Sequence, residues 1–166
     1  MQFISSDSNI WLDFNVINRL EAPFLLMNIY TFLISRDTLS DELISPPDLR
    51  EKLINYGLQQ TDISDREFLL AVKLRKKYKQ LSSYDTIALA VAKLRGIILL
   101  SGDGALRKAA LSEKVEVHGT IWIVDRLLEE ACVSQADYRS MLLDLLNNCG
   151  KDRYLPISEI QKRLEK

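Results

Sequence analysis

The chain of 166 residues is long enough for one domain with a sizeable core and too short for two domains of ordinary size. Its hydrophobic content of 47% and charged content of 27% are typical of a soluble globular protein and exclude a membrane or low-complexity chain. The formal net charge of −1 excludes a global basic field for nucleic acid, although a local basic patch is compatible with it.

The cysteine and histidine counts limit the possible chemistry. Cys132 and Cys149 lack the spacing of a metal site, and the single His118 excludes a zinc site built on several histidines. A histidine-based triad would have to use that one residue. The start of the chain lacks the pattern of a secretion signal, and the apolar run over residues 24–34 is too short and too interrupted to span a membrane. We therefore expect a reduced, cytoplasmic protein.

The first half of the chain begins with alternating strands and helices. We predict strands over 2–6 and 30–35 and helices over 10–20 and 49–56. Asp7 follows the first strand. Glu42 lies close to the end of the second strand, at the predicted start of a new helical stretch.

A capping-box pattern, Ser64 to Glu67, predicts the start of a helix over 65–79. The apolar residues of this helix are expected to face inward: Phe68, Leu69, Val72 and Leu74. Its second half is basic and includes the candidate RNA contacts Lys73, Lys76 and Lys77. These lysines would either neutralise phosphates or form a solvated helix face, and the pattern leaves both interpretations open.

The most informative stretch runs from residue 82 to residue 104. An apolar stripe predicts a helix that begins near a Ser83 N-cap and leaves through Gly96. The apolar run over 97–100 then predicts a strand covered on both faces. Asp85 falls in the first turn of this helix, and Asp103 falls just past the strand.

The remaining elements complete an α/β pattern. We predict a helix over 105–111, an edge strand over 115–117, and helices over 121–131, from Ser134 to 148, and from 156 onward. Alternation of strand and helix predicts a mostly parallel sheet. Residues 1–131 are expected to form the core domain, and residues 132–166 a helical extension packed on it.

Four acids recur at similar places, each following a predicted strand or opening a helix: Asp7, Glu42, Asp85 and Asp103. The carboxyl ends of parallel strands share one edge of a sheet, so these carboxylates are expected to converge there. Carboxylates in one pocket repel each other, and one or two Mg²⁺ or Mn²⁺ ions would neutralise them. Such a site suits phosphodiester hydrolysis, because a metal lowers the pKa of a bound water.

Each acid also has a structural explanation when it is taken alone. Asp7 and Asp103 are typical turn and cap residues, and Asp85 complements a helix dipole. Asp41 stands beside Glu42 and could take its role. The coincidence of four strand-linked positions favours a shared metal site.

The sequence resembles the PIN domain family, the small metal-dependent ribonucleases that include the VapC-type toxins of toxin–antitoxin pairs. The matching segments are FISSDSN at 3–9, LSDELI at 39–44, SYDTIALA at 83–90 and LLSGDGAL at 99–106. The last two segments and their spacing are the most specific part of the resemblance, which extends to residue 130 or so.

The resemblance implies a three-layer α/β/α fold and a metal-dependent endoribonuclease, the toxin of a toxin–antitoxin pair. It assigns the four acids to the family's catalytic and metal-binding quartet, with Mg²⁺ or Mn²⁺ as cofactor. Ser8, Asn9 and Ser101 match the polar residues beside that quartet. It also implies RNA as substrate, with an antitoxin protein and a second copy of the chain as partners. The chain departs from the commonest toxins in its helices beyond Ser134 and in having Ser101 where Thr is frequent.

Other functions compete with this hypothesis. A catalytically silent PIN-like module would bind RNA or protein without cutting, but the intact quartet argues against it. A haloacid-dehalogenase-like phosphatase would need an Asp where Asn9 stands, and a receiver domain would need a lysine after the strand at 97–100.

Overall fold

The computed structural model describes residues 1–148 and 155–166, so Cys149 lies outside the described residues. Five strands form one sheet in this part of the chain: β1 (Gln2–Ser6), β2 (Tyr30–Ser35), β3 (Gln59–Thr61), β4 (Ile98–Leu100) and β5 (Val117–His118). Their order across the sheet is β3-β2-β1-β4-β5, and every neighbouring pair is parallel. The predicted mostly parallel sheet is confirmed.

Helices cover both faces of this sheet. They are α1 (Ser8–Val16), α2 (Arg36–Glu42), α3 (Leu49–Tyr56), α4 (Asp65–Lys77), α5 (Ser83–Arg95), α6 (Gly104–Ser112), α7 (Thr120–Glu129), α8 (Gln135–Asn147) and α9 (Ile157–Leu164), with a short 3₁₀ turn at Ala22–Leu26. Helix α1 ends four residues before its predicted end, because the chain turns at Asn18, which has a positive φ of 57°.

Two hydrophobic cores lie on opposite faces of the sheet. Alternate side chains of a strand point to opposite faces, so Leu100 packs in one core and Leu99 in the other. The larger core contains the fully buried Trp11, whose ring stacks on Phe24 at a centroid distance of 5.3 Å. The second core is built mainly from α5 and α6, and the Ser5 hydroxyl donates to the Ala88 carbonyl at 2.9 Å across that face. The three-layer α/β/α architecture is therefore confirmed.

The strand order places a topological switch point between β1 and β4. From β1 the chain builds outward through β2 to β3, and then returns to pair β4 with the other side of β1. Open α/β sheets bind ligands at such a point, beyond the carboxyl ends of the strands. In this molecule those ends deliver Asp7 after β1 and the segment 101–103 after β4.

Helix α4 departs from the sequence-based expectation. Its predicted capping box is present, since the Ser64 hydroxyl accepts from the Glu67 amide at 3.1 Å. Leu74 is buried, but three apolar residues predicted to face inward are exposed: Phe68 by 54%, Leu69 by 60% and Val72 by 38%. The inward orientation of these three residues was wrongly predicted, because Ala71 and Leu74 define the face that packs on α5.

The C-terminal helices share the main core of the molecule. Tyr138, Met141, Leu142 and Leu145 of α8 and Ile160 of α9 are buried with residues of β1, β2 and α1. No helix in the described ranges is long and apolar enough to cross a membrane.

Candidate active site

Asp7 lies at the centre of the sheet edge. It follows β1 directly, and its backbone amide donates to the Leu100 carbonyl at 2.9 Å, which continues the pairing with β4. Its Oδ1 atom accepts from the Ser8 amide at 2.8 Å and so caps α1, while Oδ2 accepts from the Ser101 hydroxyl at 3.0 Å. The side chain is therefore held rigidly in a buried position, with only 4% of the residue exposed.

Asp85 is fixed by the start of α5. The Ser82 hydroxyl accepts from the Asp85 amide at 3.1 Å, and Asp85 Oδ2 accepts from the Ser82 amide at 2.8 Å. These reciprocal bonds form a capping box, so Ser82 is the N-cap. The predicted N-cap at Ser83 was wrong by one residue, because Ser83 is the first residue of the helix.

Asp103 caps α6, and Ser101 links it to Asp7. Asp103 Oδ1 accepts from the Ala105 amide at 2.8 Å. The fully buried Ser101 hydroxyl donates to Asp7 and accepts from the Asp103 amide at 3.0 Å. Asn9 fixes the same loop, since its Oδ1 atom accepts from the Gly102 amide at 3.2 Å.

Glu42 reaches the site from a different position than predicted. Ser35 caps α2 immediately after β2, so Glu42 is the last residue of that helix and does not open a new one. Its Oε1 atom accepts from the Ser8 hydroxyl at 3.1 Å, which joins it to the start of α1. The neighbouring Asp41 accepts from the Tyr84 hydroxyl at 2.6 Å and ties the end of α2 to the start of α5.

The charges of the four acids influence one another's pKa values. Burial and the nearby charges of Asp85 and Glu42 raise the pKa of Asp7 to about 7. Burial and the charge of Asp85 raise the pKa of Glu42. Burial and the charge of Asp103 raise the pKa of Asp85. The sheet edge therefore brings together all four acids that the sequence singles out.

The donor set of this site fits a hard divalent cation. It consists of carboxylate oxygens beside hydroxyl and amide oxygens, which are the ligands that Mg²⁺ and Mn²⁺ prefer. Among the described residues, no group of three or more His, Cys, Asp or Glu side chains stands close enough together to hold a metal ion by itself. Mg²⁺ retains several waters and needs only one or two carboxylates in direct contact, so an open carboxylate site is compatible with it.

The basic residues of α4 have different environments. Lys77 pairs with Glu113 at 2.9 Å, on the side of α4 that faces α6. Lys73 and Lys76 are exposed. Arg75 lies near the acids, since its charge lowers the pKa of Asp85.

Sequence reasoning missed two features around the acids. The hydrogen bond between Tyr84 and Asp41 joins two of the matching segments and depends on tertiary structure, and Arg107, which donates to the Ser101 carbonyl, lies just outside those segments. A cavity of about 820 Å³ lies elsewhere, near the start of β1 and residues 96–98. A cleft of about 510 Å³ adjoins the acid edge at Gly102 and Gly104.

Fold and site together define an α/β protein with an acidic cluster at the switch point of a parallel sheet. The sequence model of the PIN domain matches residues 7–111, more than half of the chain, and the chain belongs to the PIN domain family. The resemblance noted in the sequence is thereby confirmed.

The fold is also similar to one of known structure. In the crystal structure of VapBC2 from Rickettsia felis bound to a DNA fragment from their promoter, a chain superposes with a TM-score of 0.51 at 15% sequence identity. The match covers 72% of this chain and 98% of that one. No curated protein sequence gives a significant match.

Proposed function

We propose that the chain is a divalent-metal-dependent endoribonuclease that hydrolyses RNA phosphodiester bonds. The observation that carries this proposal is the convergence of Asp7, Glu42, Asp85 and Asp103 in one electrostatic field at the sheet's switch point. Structural ion pairs do not explain this arrangement, because the pKa values of Asp7, Glu42 and Asp85 are raised by burial and by repulsion between the acids. Membership of a family of nucleases agrees with this chemistry.

The residues divide into ligands and supporting groups. Asp7, Asp85 and Asp103 would hold Mg²⁺ or Mn²⁺, and Glu42 would complete the shell or orient the attacking water. A divalent ion bound there supplies charge neutralisation and a more acidic water. Ser101 and Ser8 hold carboxylates in place through the hydrogen bonds described above, which is the usual role of groups behind a metal ligand.

The direct test is cleavage of a mixed RNA pool by the purified protein with Mn²⁺, with EDTA, and with the variant Asp85→Asn. Asparagine keeps an oxygen for the Ser82 amide, so the cap of α5 survives while the charge is lost. We expect EDTA to abolish cleavage and Asp85→Asn to reduce it at least about 100-fold. The matched control is Asp65→Asn, which removes an exposed acid from the first turn of α4 and should leave cleavage unchanged.

Metal-dependent cleavage that is equal in Asp85→Asn and Asp65→Asn would contradict the assigned ligand set. Absence of both cleavage and Mn²⁺ binding would contradict the nuclease itself. RNA binding by a folded protein that never cuts would support the alternative of a catalytically silent binding module.

We also propose that the protein is the toxin of a toxin–antitoxin pair, with a separate antitoxin protein and a second copy of itself as partners. This rests on its family and on the fold it shares with a chain of the VapBC2 complex. In a bacterial host, induced expression of the chain should arrest growth, and expression of Asp85→Asn to the same level should not. Equal growth of the two cultures would contradict the toxin role.

A further inference from the structure

A cleft of about 510 Å³ begins beside the acid edge and leads away from it. Gly102 and Gly104, on either side of Asp103, form its near end. Among the described residues, its other walls include the β5–α7 turn, Trp122 of α7 and Arg163 of α9. A strand of RNA leaving the acidic quartet on this side would enter the cleft directly.

Arg107 provides an available positive charge in this cleft. It follows Asp103 by four residues, and its amide donates to the Asp103 carbonyl at 2.9 Å, so both lie on one face of α6. Its guanidinium donates only a long hydrogen bond of 3.5 Å to the Ser101 carbonyl. Within the ranges that the structure describes, no carboxylate forms an ion pair with it.

The other arginine of the cleft is already engaged. Arg163 makes paired hydrogen bonds of 2.8–3.0 Å to Asp125 and a further ion pair with Glu159 at 3.1 Å. Its charge is therefore largely neutralised within the protein. Of these two arginines, both among the described residues of the cleft, Arg107 is the one whose charge is not paired with a carboxylate.

Gly119 makes room for the Arg107 guanidinium. A Cβ atom at position 119 would stand 2.5 Å from Arg107 Nη1. The φ angle of Gly119 is −114°, which any residue adopts, so the missing side chain matters here and the backbone conformation does not. An alanine at this position would displace the end of a flexible side chain and leave the backbone in place.

We propose that Arg107 binds a backbone phosphate of the RNA in this cleft, next to the phosphate that is hydrolysed at the acidic quartet. This inference rests on the proposed ribonuclease function. A cluster of carboxylates repels a polyanion, and a guanidinium one helical turn away offsets that repulsion on the exit path of the strand. The planar fork of arginine matches two phosphate oxygens at once.

The test measures RNA binding without catalysis. A 5′-fluorescein-labelled, random-sequence, single-stranded RNA is titrated with protein in EDTA and followed by fluorescence anisotropy at several salt concentrations. We expect Arg107→Ala to weaken binding about tenfold and to reduce the slope of log K against log salt by about 0.7. Gly119→Ala, which keeps the charge but moves it, should weaken binding about threefold.

Lys108→Ala is the matched control, because it removes the same charge from the next residue of α6, which is exposed and outside the cleft. It should change RNA affinity less than twofold. Equal affinity of Arg107→Ala and Lys108→Ala, in a chain that binds and cleaves RNA, would overturn the Arg107 subsite and leave the nuclease intact. A wild-type chain that neither binds nor cleaves RNA would overturn both proposals.

Discussion

At the scale of single residues, three of the four acids have a structural task as well as a proposed chemical one. The carboxylates of Asp7, Asp85 and Asp103 accept backbone amides at the starts of α1, α5 and α6. Each helix start presents unpaired N–H groups that need such an acceptor. The structural and functional interpretations of these residues, which compete in the sequence, are therefore compatible in the fold.

Ser101 gives a test of how the site is held in place. Its hydroxyl stabilises the charged form of Asp7 and thereby lowers the pKa of that carboxyl. Removing it in Ser101→Ala should raise the pKa of Asp7 further above about 7, so less of the carboxylate is ionised at neutral pH. A carbon-detected NMR titration of the metal-free protein measures this.

The hydroxyl-keeping variant Ser101→Thr is the control, and it should leave the pKa of Asp7 near its original value. An unchanged pKa in Ser101→Ala would show that the Ser101 bond does not influence the site.

The acids could be found from sequence because they follow or begin strongly patterned elements. Glu42 was placed at the wrong end of a helix, since the short α2 starts at once after β2 and carries little apolar pattern. Arg107 could not be found, because its availability depends on which other charges are paired in the folded molecule. Ion pairing between distant elements leaves no local signal in a sequence.

At the scale of elements, one carboxylate joins three helices. Glu113, at the end of α6, binds Lys93 of α5 at 2.7 Å, the Tyr78 hydroxyl at the end of α4, and Lys77 of α4 at 2.9 Å. These bonds, of which the one from Lys93 has the largest effect, hold the pKa of Glu113 at about 2. The second core is therefore closed at its rim by a charged cluster.

Glu113→Gln should destabilise the protein in a pH-dependent way. A carboxyl with a lowered pKa stabilises the fold above its unfolded pKa of 4.5, and this contribution is lost as the pH falls towards about 2. At pH 7 we expect a loss of about 1–3 kcal/mol in the free energy of unfolding, because the bonds are charge-assisted and both lysines are partly solvated. Urea unfolding at pH 7 and at pH 3.5 measures the difference.

Glu51→Gln is the control, because Glu51 is exposed on α3. This substitution should change the free energy of unfolding little at either pH. A loss for Glu113→Gln that is as large at pH 3.5 as at pH 7 would contradict the charge-based explanation.

Elements with a clear apolar pattern were predicted well, and weakly patterned ones were not. Helix α3 was predicted with its observed bounds, Leu49–Tyr56. Strand β3 was missed, because its sequence is Gln-Gln-Thr and an edge strand needs no buried face. The orientation of α4 was wrong because two of its faces carry apolar residues, and only packing against α5 selects between them.

At the scale of the whole molecule, the described helices after residue 131 share the main core of the PIN fold. We propose that residues 1–131 carry the nuclease and that residues 132–166 pack on them as one cooperative unit. Met141 of α8 is fully buried in the main core, whereas Leu143 on the same helix is 44% exposed. Replacing each of these residues with alanine therefore distinguishes a loss of core packing from a change in helix propensity.

Met141→Ala should lower the free energy of unfolding by about 2–5 kcal/mol, since it leaves a cavity in the shared core. Leu143→Ala should change it by less than about 0.5 kcal/mol, as expected at an exposed position. Chemical unfolding followed by circular dichroism measures both. Two separate transitions in the wild type, with only one affected by Met141→Ala, would contradict a single cooperative unit.

The alternation of strands and helices was sufficient to predict the fold class, and the family resemblance to predict the layers. Strand order was not predictable from the pattern, because pairing β4 with β1 joins segments more than 90 residues apart. Only the folded sheet shows the hydrogen bond that joins Asp7 and Ser101.

The hydrogen bond between Ser101 and Asp7 spans 94 residues and has a consequence for protein synthesis. A ribosome makes the chain from its N-terminus, and a nascent segment that ends before β4 has no partner for that side of β1. The acidic centre therefore cannot assemble until well over half of the chain has been translated. A nascent chain that ends before Asp103 lacks part of the acidic quartet, so it could not yet form the proposed nuclease centre.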